Sequence, residues 1–214
     1  MNGEDYYMKL KINETGRSVP RIKSKKAIKE DMHTDEIKMV IGSWGAYNAA
    51  NEKALGSSWL TLSDYNSWEE IEAELTKQGF DLKGEDEELF IQDVDGLPTM
   101  GEYESPQAVF ETLYESDVLN DVSAREAFDV FCEVRGWDDF KQLVDSHGAN
   151  WVDYIYIYPG YDWYDLGREM FELYYPELLE NDVIDNYFDF EAYGESFQYD
   201  TFERYSNGIV SIEY

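Results

Sequence analysis

The stretch Ser58-Trp59-Leu60-Thr61-Leu62, followed shortly by Ser67-Trp68-Glu69-Glu70-Ile71-Glu72-Ala73-Glu74-Leu75, changes its apolar period midway. The first part is aromatic and β-branched and reads as a strand. Ser67 stands three residues before Glu70, the signature of a capping box. Trp68, Ile71 and Leu75 then recur at helical spacing, and Gly79 is placed to end the helix. A strand feeding directly into a helix sets the fold class as α+β.

Working upstream, Ile37-Lys38-Met39-Val40-Ile41-Gly42 reads as another strand, joined to the second by a Gly/Asn-containing loop. Downstream, Leu89-Phe90-Ile91 reads as a third, closed by the turn residues Asp95-Gly96. Residues 37–97 therefore form a first, N-terminal α+β domain. Residues 98–147 carry helical signals throughout. Ser105-Pro106 places an N-cap before proline at the first helical position. Ser123-Ala124-Arg125-Glu126 reads as a second capping box, with Gly136 as a stop. Trp137-Asp138-Asp139-Phe140 opens a third helix, ended by Gly148. Residues 148–214 are mixed again. Trp151 to Tyr158 reads as a strand, Tyr161 to Tyr174 as a helix, and Pro176 restarts a helix through Leu178, Leu179, Val183 and Tyr187. Ile209-Val210-Ser211-Ile212 reads as a closing strand. Residues 1–36 lack apolar periodicity and hold the basic cluster Arg21, Lys23, Lys25, Lys26 and Lys29. They read as a flexible extension, with a regulatory or nucleic-acid-touching tail as the alternative.

Charge separates that extension from everything after it. Residues 1–38 hold nine Lys and Arg against seven Asp and Glu. Residues 39–214 hold eight against forty, a net of −32. With 43% hydrophobic and 16% aromatic residues the chain has the means to bury a core, so the acidity is not that of a disordered tail. Self-repulsion on this scale opposes compactness, and solubility alone does not call for it. The charge reads as directed at something outside the protein.

The motifs of common chemistries are thin. Cys132, the sole cysteine, excludes an intramolecular disulfide framework and fits a reducing cytoplasm; beside Phe131 and Val134 it reads as a small core residue. No apolar run is long enough to span a membrane, and the N-terminus lacks an apolar signal-peptide core. His33 and His147 stand in no metal-ligand spacing, and no metal site or cofactor is expected. Asp93-Val94-Asp95-Gly96 begins like a calcium loop, but its glycine comes too early and the closing Glu is missing. Paired carboxylates beside aromatics would also suit a glycosidase, yet in so acidic a chain acids pair by chance. No catalytic residue is expected.

The acids themselves are patterned. On the predicted helices they occupy the face opposite the apolar stripe: Glu69, Glu70, Glu72 and Glu74, then Glu111, Glu115 and Asp117. Asp138, Asp139 and Asp145 follow, then Asp162, Asp165, Glu169 and Glu172. The last set is Glu177, Glu180, Asp182, Asp185, Asp189 and Glu191. On one helix this would be an ordinary solvated face. Here nearly every helix lacks the lysines that would make i,i+4 pairs. Duplex DNA carries one charge per roughly 1.7 Å of axis, so a net of −32 matches about 54 Å of duplex, and a dimer about 109 Å or some 32 base pairs. Acids three or four apart on a helix stand about 5–6 Å from one another, on the order of phosphate spacing along a strand. Composition thus points to a mimic of a polyanion.

The stretch Asn186-Tyr187-Phe188-Asp189-Phe190-Glu191-Ala192-Tyr193-Gly194 and the closing Asn207-Gly208-Ile209-Val210-Ser211-Ile212-Glu213-Tyr214 resemble the ArdA antirestriction proteins carried by conjugative elements. Ser58 to Leu62, with Phe90-Ile91-Gln92-Asp93-Val94-Asp95-Gly96-Leu97-Pro98, is similar to that family's first domain. The resemblance spans about Lys38 to Tyr214. It implies an elongated chain of three small domains (α+β, helical, α+β), dimerising through the third. It further implies a non-enzymatic mimic of bent B-form DNA that occupies the DNA-binding groove of type I restriction-modification enzymes. Tyr187, Phe188 and Tyr193 are candidates for the self-association surface, or else ordinary core residues. The basic extension is a departure to which the family lends no role. Three rivals stand beside this reading: an acidic hydrolase, which would hinge on one or two carboxylates; a halophilic protein, which would unfold at low salt; and a mimic aimed at another DNA-binding protein.

Overall fold

The computed structural model describes residues 11–12, 18–19, 36–100, 104–179, 182–199 and 201–213. The basic cluster Arg21–Lys29, His33 and Glu180 lie outside these residues. Within the extension, β1 (Lys11–Ile12) pairs antiparallel with β2 (Ser18–Val19). The fold is α+β, and the chain divides into two compact units: residues 30–152, and residues 153–214 with 1–29.

In the unit 30–152, β3 (Lys38–Ser43) is the centre of a three-stranded antiparallel sheet, flanked by β4 (Leu60–Thr61) and β5 (Leu89–Asp95). β3 is buried along almost its whole length, as a central strand must be. Its pairing with β5 shifts register between Val40 and Ile41, a bulge that keeps Gly42 opposite Phe90. Met39, Ile41, Leu60 and Leu62 form a core with Trp68, Ile71 and Leu75 of α2 (Trp68–Lys77). The expected helical spacing is realised there. The capping box is altered: Ser67 makes no side-chain cap bond, and the Glu70 carboxylate instead accepts from the Asn66 backbone N–H at 2.8 Å. Between β3 and β4, where a plain loop was expected, Ser43 caps a short helix, α1 (Trp44–Ala49).

Three helices follow, α3 (Pro106–Glu115), α4 (Val122–Val134) and α5 (Trp137–His147). Ser105 caps α3 with proline at its start, as its sequence predicts. The second capping box is corrected. Asp121, not Ser123, caps α4, its carboxylate accepting from the Ser123 and Ala124 N–H groups, both at 2.8 Å. An aspartate two residues earlier offers a charged acceptor in the same position, which outcompetes the serine hydroxyl. Phe140 sits at the heart of this layer, 4.8 Å from Phe128 and 4.9 Å from Trp151, ring centre to ring centre. Residues 151–154, expected to begin a strand, belong instead to a 3₁₀ helix (Gly148–Tyr154). The cause is tertiary: fully buried Trp151 donates its indole N–H to the Ser116 carbonyl at 2.9 Å. Cys132 is buried, and burial pushes its thiol up, as suits an inert core residue.

In the second unit, β6 (Ile155–Pro159), β7 (Phe202–Tyr205) and β8 (Gly208–Ile212) form an antiparallel sheet with β8 in the centre and fully buried. Its core joins Tyr158, Phe202 and Ile209 to Trp163, Leu166 and Met170 of α6 (Trp163–Tyr174). The helix expected after Pro176 is seen in α7 (Pro176–Leu179) and α8 (Asp182–Tyr187), on either side of residues outside the description. α9 (Phe190–Glu195) then crosses α6 at a glycine on each helix. A Cβ on Gly167 would lie 1.8 Å from the Phe190 carbonyl oxygen, and one on Gly194 would lie 1.8 Å from that of Trp163. Backbone meets backbone here, which only glycine allows.

Candidate functional site

Helix formation and surface acidity have a common origin in this chain. Carboxylates gather in first turns, where the helix dipole favours negative charge: Glu69 and Glu70 in α2, Asp138 and Asp139 in α5, Glu177 in α7, Glu191 in α9. Several also cap. Asp162 and Asp165 of α6 form a reciprocal capping box, and Asp189 accepts from the Ala192 N–H at 3.0 Å. Charge that repels across the surface is thus partly offset by favourable terms within each helix.

Thirteen of the twenty acids expected on the charged surface are exposed: Glu69, Glu70, Glu111, Glu115, Asp117, Asp138, Asp145, Asp162, Asp165, Glu172, Glu177, Asp189 and Glu191. Glu72, Glu74, Asp139 and Glu169 are half-buried. Glu180 and the side chains of Asp182 and Asp185 lie outside the described residues. Glu74 pairs with Lys77 at 3.0 Å, and hydrogen bonds from Lys77 and Gln78 lower its pKa. Glu69 is also lowered, by bonds from its own N–H and the Ser67 hydroxyl. Glu169 is the poorest fit to an outward role. Burial pushes its carboxyl up against the opposing bond from the Tyr161 hydroxyl, Glu172 pushes it further, and its Oε2 is buried without a hydrogen-bond partner.

Several of the bases hold the fold together. Lys53 reaches Asp86 at 2.6 Å and the Gly79 carbonyl at 2.9 Å. Arg125, itself buried, clamps Asp129 and donates to the Gly96 carbonyl at 2.8 Å. Lys141 pairs with Glu104 at 3.3 Å, and the Arg168 guanidinium lies over the Phe190 ring. Bases used this way leave the exposed carboxylates largely unneutralised.

Sequence reasoning missed two groups. Along α4, Glu126, Asp129 and Glu133 are exposed at helical spacing, a signal that was present in the sequence. The loop 81–88 adds exposed Asp81, Glu85, Glu87 and Glu88. It is pinned by Asp86, which is buried and accepts from the Ser43 hydroxyl at 2.6 Å, Lys53 at 2.6 Å and the Asp81 N–H at 2.8 Å. No sequence signal separates Asp86 from its exposed neighbours.

Of the self-association candidates, Phe188 and Tyr193 are half-buried in a ring cluster with Phe171, whose centre lies 4.6 Å from Phe188 and 6.0 Å from Tyr193. Tyr187 stands apart at 85% exposed. Among the described residues no group of three or more His, Cys, Asp and Glu is arranged to hold a metal, and no helix is long and apolar enough to cross a membrane. The family model described as antirestriction protein (ArdA) matches residues 39–211. No curated protein matches the chain.

Proposed function

Because the chain belongs to the ArdA family of antirestriction proteins, we propose that it acts as a mimic of B-form DNA in the DNA-binding groove of a type I restriction-modification enzyme. The observation that carries this reading is the disposition of charge: exposed carboxylates on successive helices, with bases such as Lys53 and Arg125 engaged in internal contacts. A groove that binds phosphates would accept such a surface and release the counterions it releases on binding DNA. Inhibition of modification as well as restriction follows where both activities share that groove. The acids act together as a field, with no catalytic carboxylate and no cofactor.

Competition tests this. Increasing amounts of the protein are added to a type I methyltransferase bound to labelled target DNA. Displacement is expected at low ionic strength, with affinity falling at least about tenfold between 50 and 200 mM salt. Neutralising Glu111, Glu115, Asp138 and Asp145 by amide substitution should weaken inhibition in steps. Failure to displace DNA at low salt refutes the target; a single amide change that abolishes activity points instead to a hydrolase.

We further propose that the protein works as a homodimer of three-domain chains joined through the C-terminal domain, with Tyr187 on the contact surface. Val183, 61% exposed on the same short helix, adds apolar area beside it. Tyr187→Asp is expected to weaken self-association about tenfold or more while leaving the circular dichroism of the folded chain unchanged, since an exposed ring adds little to the fold of the protomer. Sedimentation velocity reads the first outcome. An unaltered dimer removes Tyr187 from the interface.

A further inference from the structure

The unit 30–152 carries an exposed aromatic cluster amid acids. Trp44 opens α1 and is 41% exposed; Tyr47, one turn on, is 57% exposed. The Trp44 indole stacks on Phe90 of β5 with centres 4.4 Å apart and planes 27° from parallel, and Tyr47 meets both rings edge-on. This stack is built in. Phe90 lies across Gly42, where a Cβ would come within 2.5 Å of its ring. The acidic loop is equally fixed. The Trp44 N–H donates to the Glu88 carbonyl at 3.0 Å, and Gly45 lets the Glu85 carbonyl approach to where a Cβ would sit 1.7 Å from it. The loop that bears exposed Glu85, Glu87 and Glu88 is therefore held by its backbone against the helix that carries rings a hydrophobic core would normally have enclosed.

Aromatic faces combined with carboxylates match one side chain in particular. The guanidinium group is planar, weakly hydrated and cationic, stacks on indole and phenol faces, and donates in a fork to carboxylates. Lysine offers a point charge without the planar face. A nucleobase could stack on the rings, but its phosphates would be repelled by the loop. We propose that Trp44 and Tyr47, with the acids of loop 81–88, form an arginine-binding patch that engages arginine side chains of the partner's DNA-binding surface. This rests on the mimic reading and adds to it a short-range, arginine-selective contact that charge alone does not supply.

Two measurements test it. Calorimetry with nona-arginine and nona-lysine peptides at 150 mM salt is expected to show wild-type protein preferring the arginine peptide about fivefold or more. The W44A/Y47A double variant should lose that preference while its lysine-peptide affinity stays within about twofold. An unchanged preference overturns the proposal. Tyr47→Ala alone, at the more exposed position, should retain the native melt and still lose about threefold, which keeps the test valid should the double variant misfold. In the methyltransferase competition the double variant should require about fivefold more protein than wild type to displace DNA. Equal potency overturns the patch and leaves the mimic intact. Failure of the wild type itself to displace DNA overturns the mimic, and the peptide comparison still decides the patch.

Discussion

Replacing Gly167 or Gly194 by alanine is expected to unfold the C-terminal unit. At their crossing, α6 and α9 come close enough that each glycine faces the other helix's backbone carbonyl, with a Cβ placed 1.8 Å from oxygen. A flexible side chain could swing away from such a clash. A helical carbonyl cannot move without giving up its own hydrogen bond. The helices must separate, and the pairing that covers Phe190 and Trp163 goes with them. The expected cost is at least about 3 kcal/mol for each substitution, a large share of the stability of so small a unit. Thermal unfolding followed by near-UV circular dichroism reads it, and a melt unchanged from wild type would contradict the close crossing. Because the effect acts through the fold, inhibition of a restriction enzyme should fall with it, unlike the graded response to surface acids.

Asp86→Ala is expected to have the second largest effect, about 3 kcal/mol, by leaving the Lys53 ammonium, the Ser43 hydroxyl and the Asp81 N–H without their shared acceptor. Burial alone would push this carboxyl up, but the bonds from Lys53, Ser43 and the Asp81 N–H outweigh it and hold the group below the usual range. A carboxylate depressed in the folded state contributes fully above its unfolded value, near pH 4, and loses that contribution as pH falls through the folded value. Wild-type stability should therefore drop below about pH 4, and the Asp86→Ala variant should lack this component of the drop. Urea titrations of both proteins at pH 7 and pH 3 check the difference. If the two slopes with pH coincide, the ion pair is not what anchors the loop.

These two positions show where sequence reading stopped. Helices α2, α3 and α5 were legible because local signals decide them: apolar spacing, Pro106 behind Ser105, Gly148 at a positive-φ end. The central strands β3 and β8 announced themselves through short clusters of apolar, mostly β-branched residues, Met39–Ile41 and Ile209, Val210 and Ile212. What failed was set by distant partners. Trp151 lies in a stretch of strand-forming residues, but its bond to Ser116 winds that stretch into a 3₁₀ turn. Phe202 to Tyr205 became a strand by pairing with β8, although Glu203 and Arg204 dilute its pattern. Nothing local in the sequence marks the role of Gly167 or Gly194, and only the crossing explains them. The acidic surface was legible as a class of residue on a face of each helix. Single roles were not, since Asp86 and Glu169 differ from their neighbours in burial alone.

The division of labour between carboxylates and bases has a consequence for the contest between inhibitor and enzyme. On the proposed reading, inhibitory charge is a sum over many interchangeable groups, so the surface can drift one acid at a time with little loss. The enzyme has no matching freedom. A groove altered to refuse such a field would lose its grip on phosphates, and with it the DNA it exists to bind. Resistance would have to come from features outside the groove's charge, while the inhibitor's own constraints lie inward, in a few glycines and one buried aspartate.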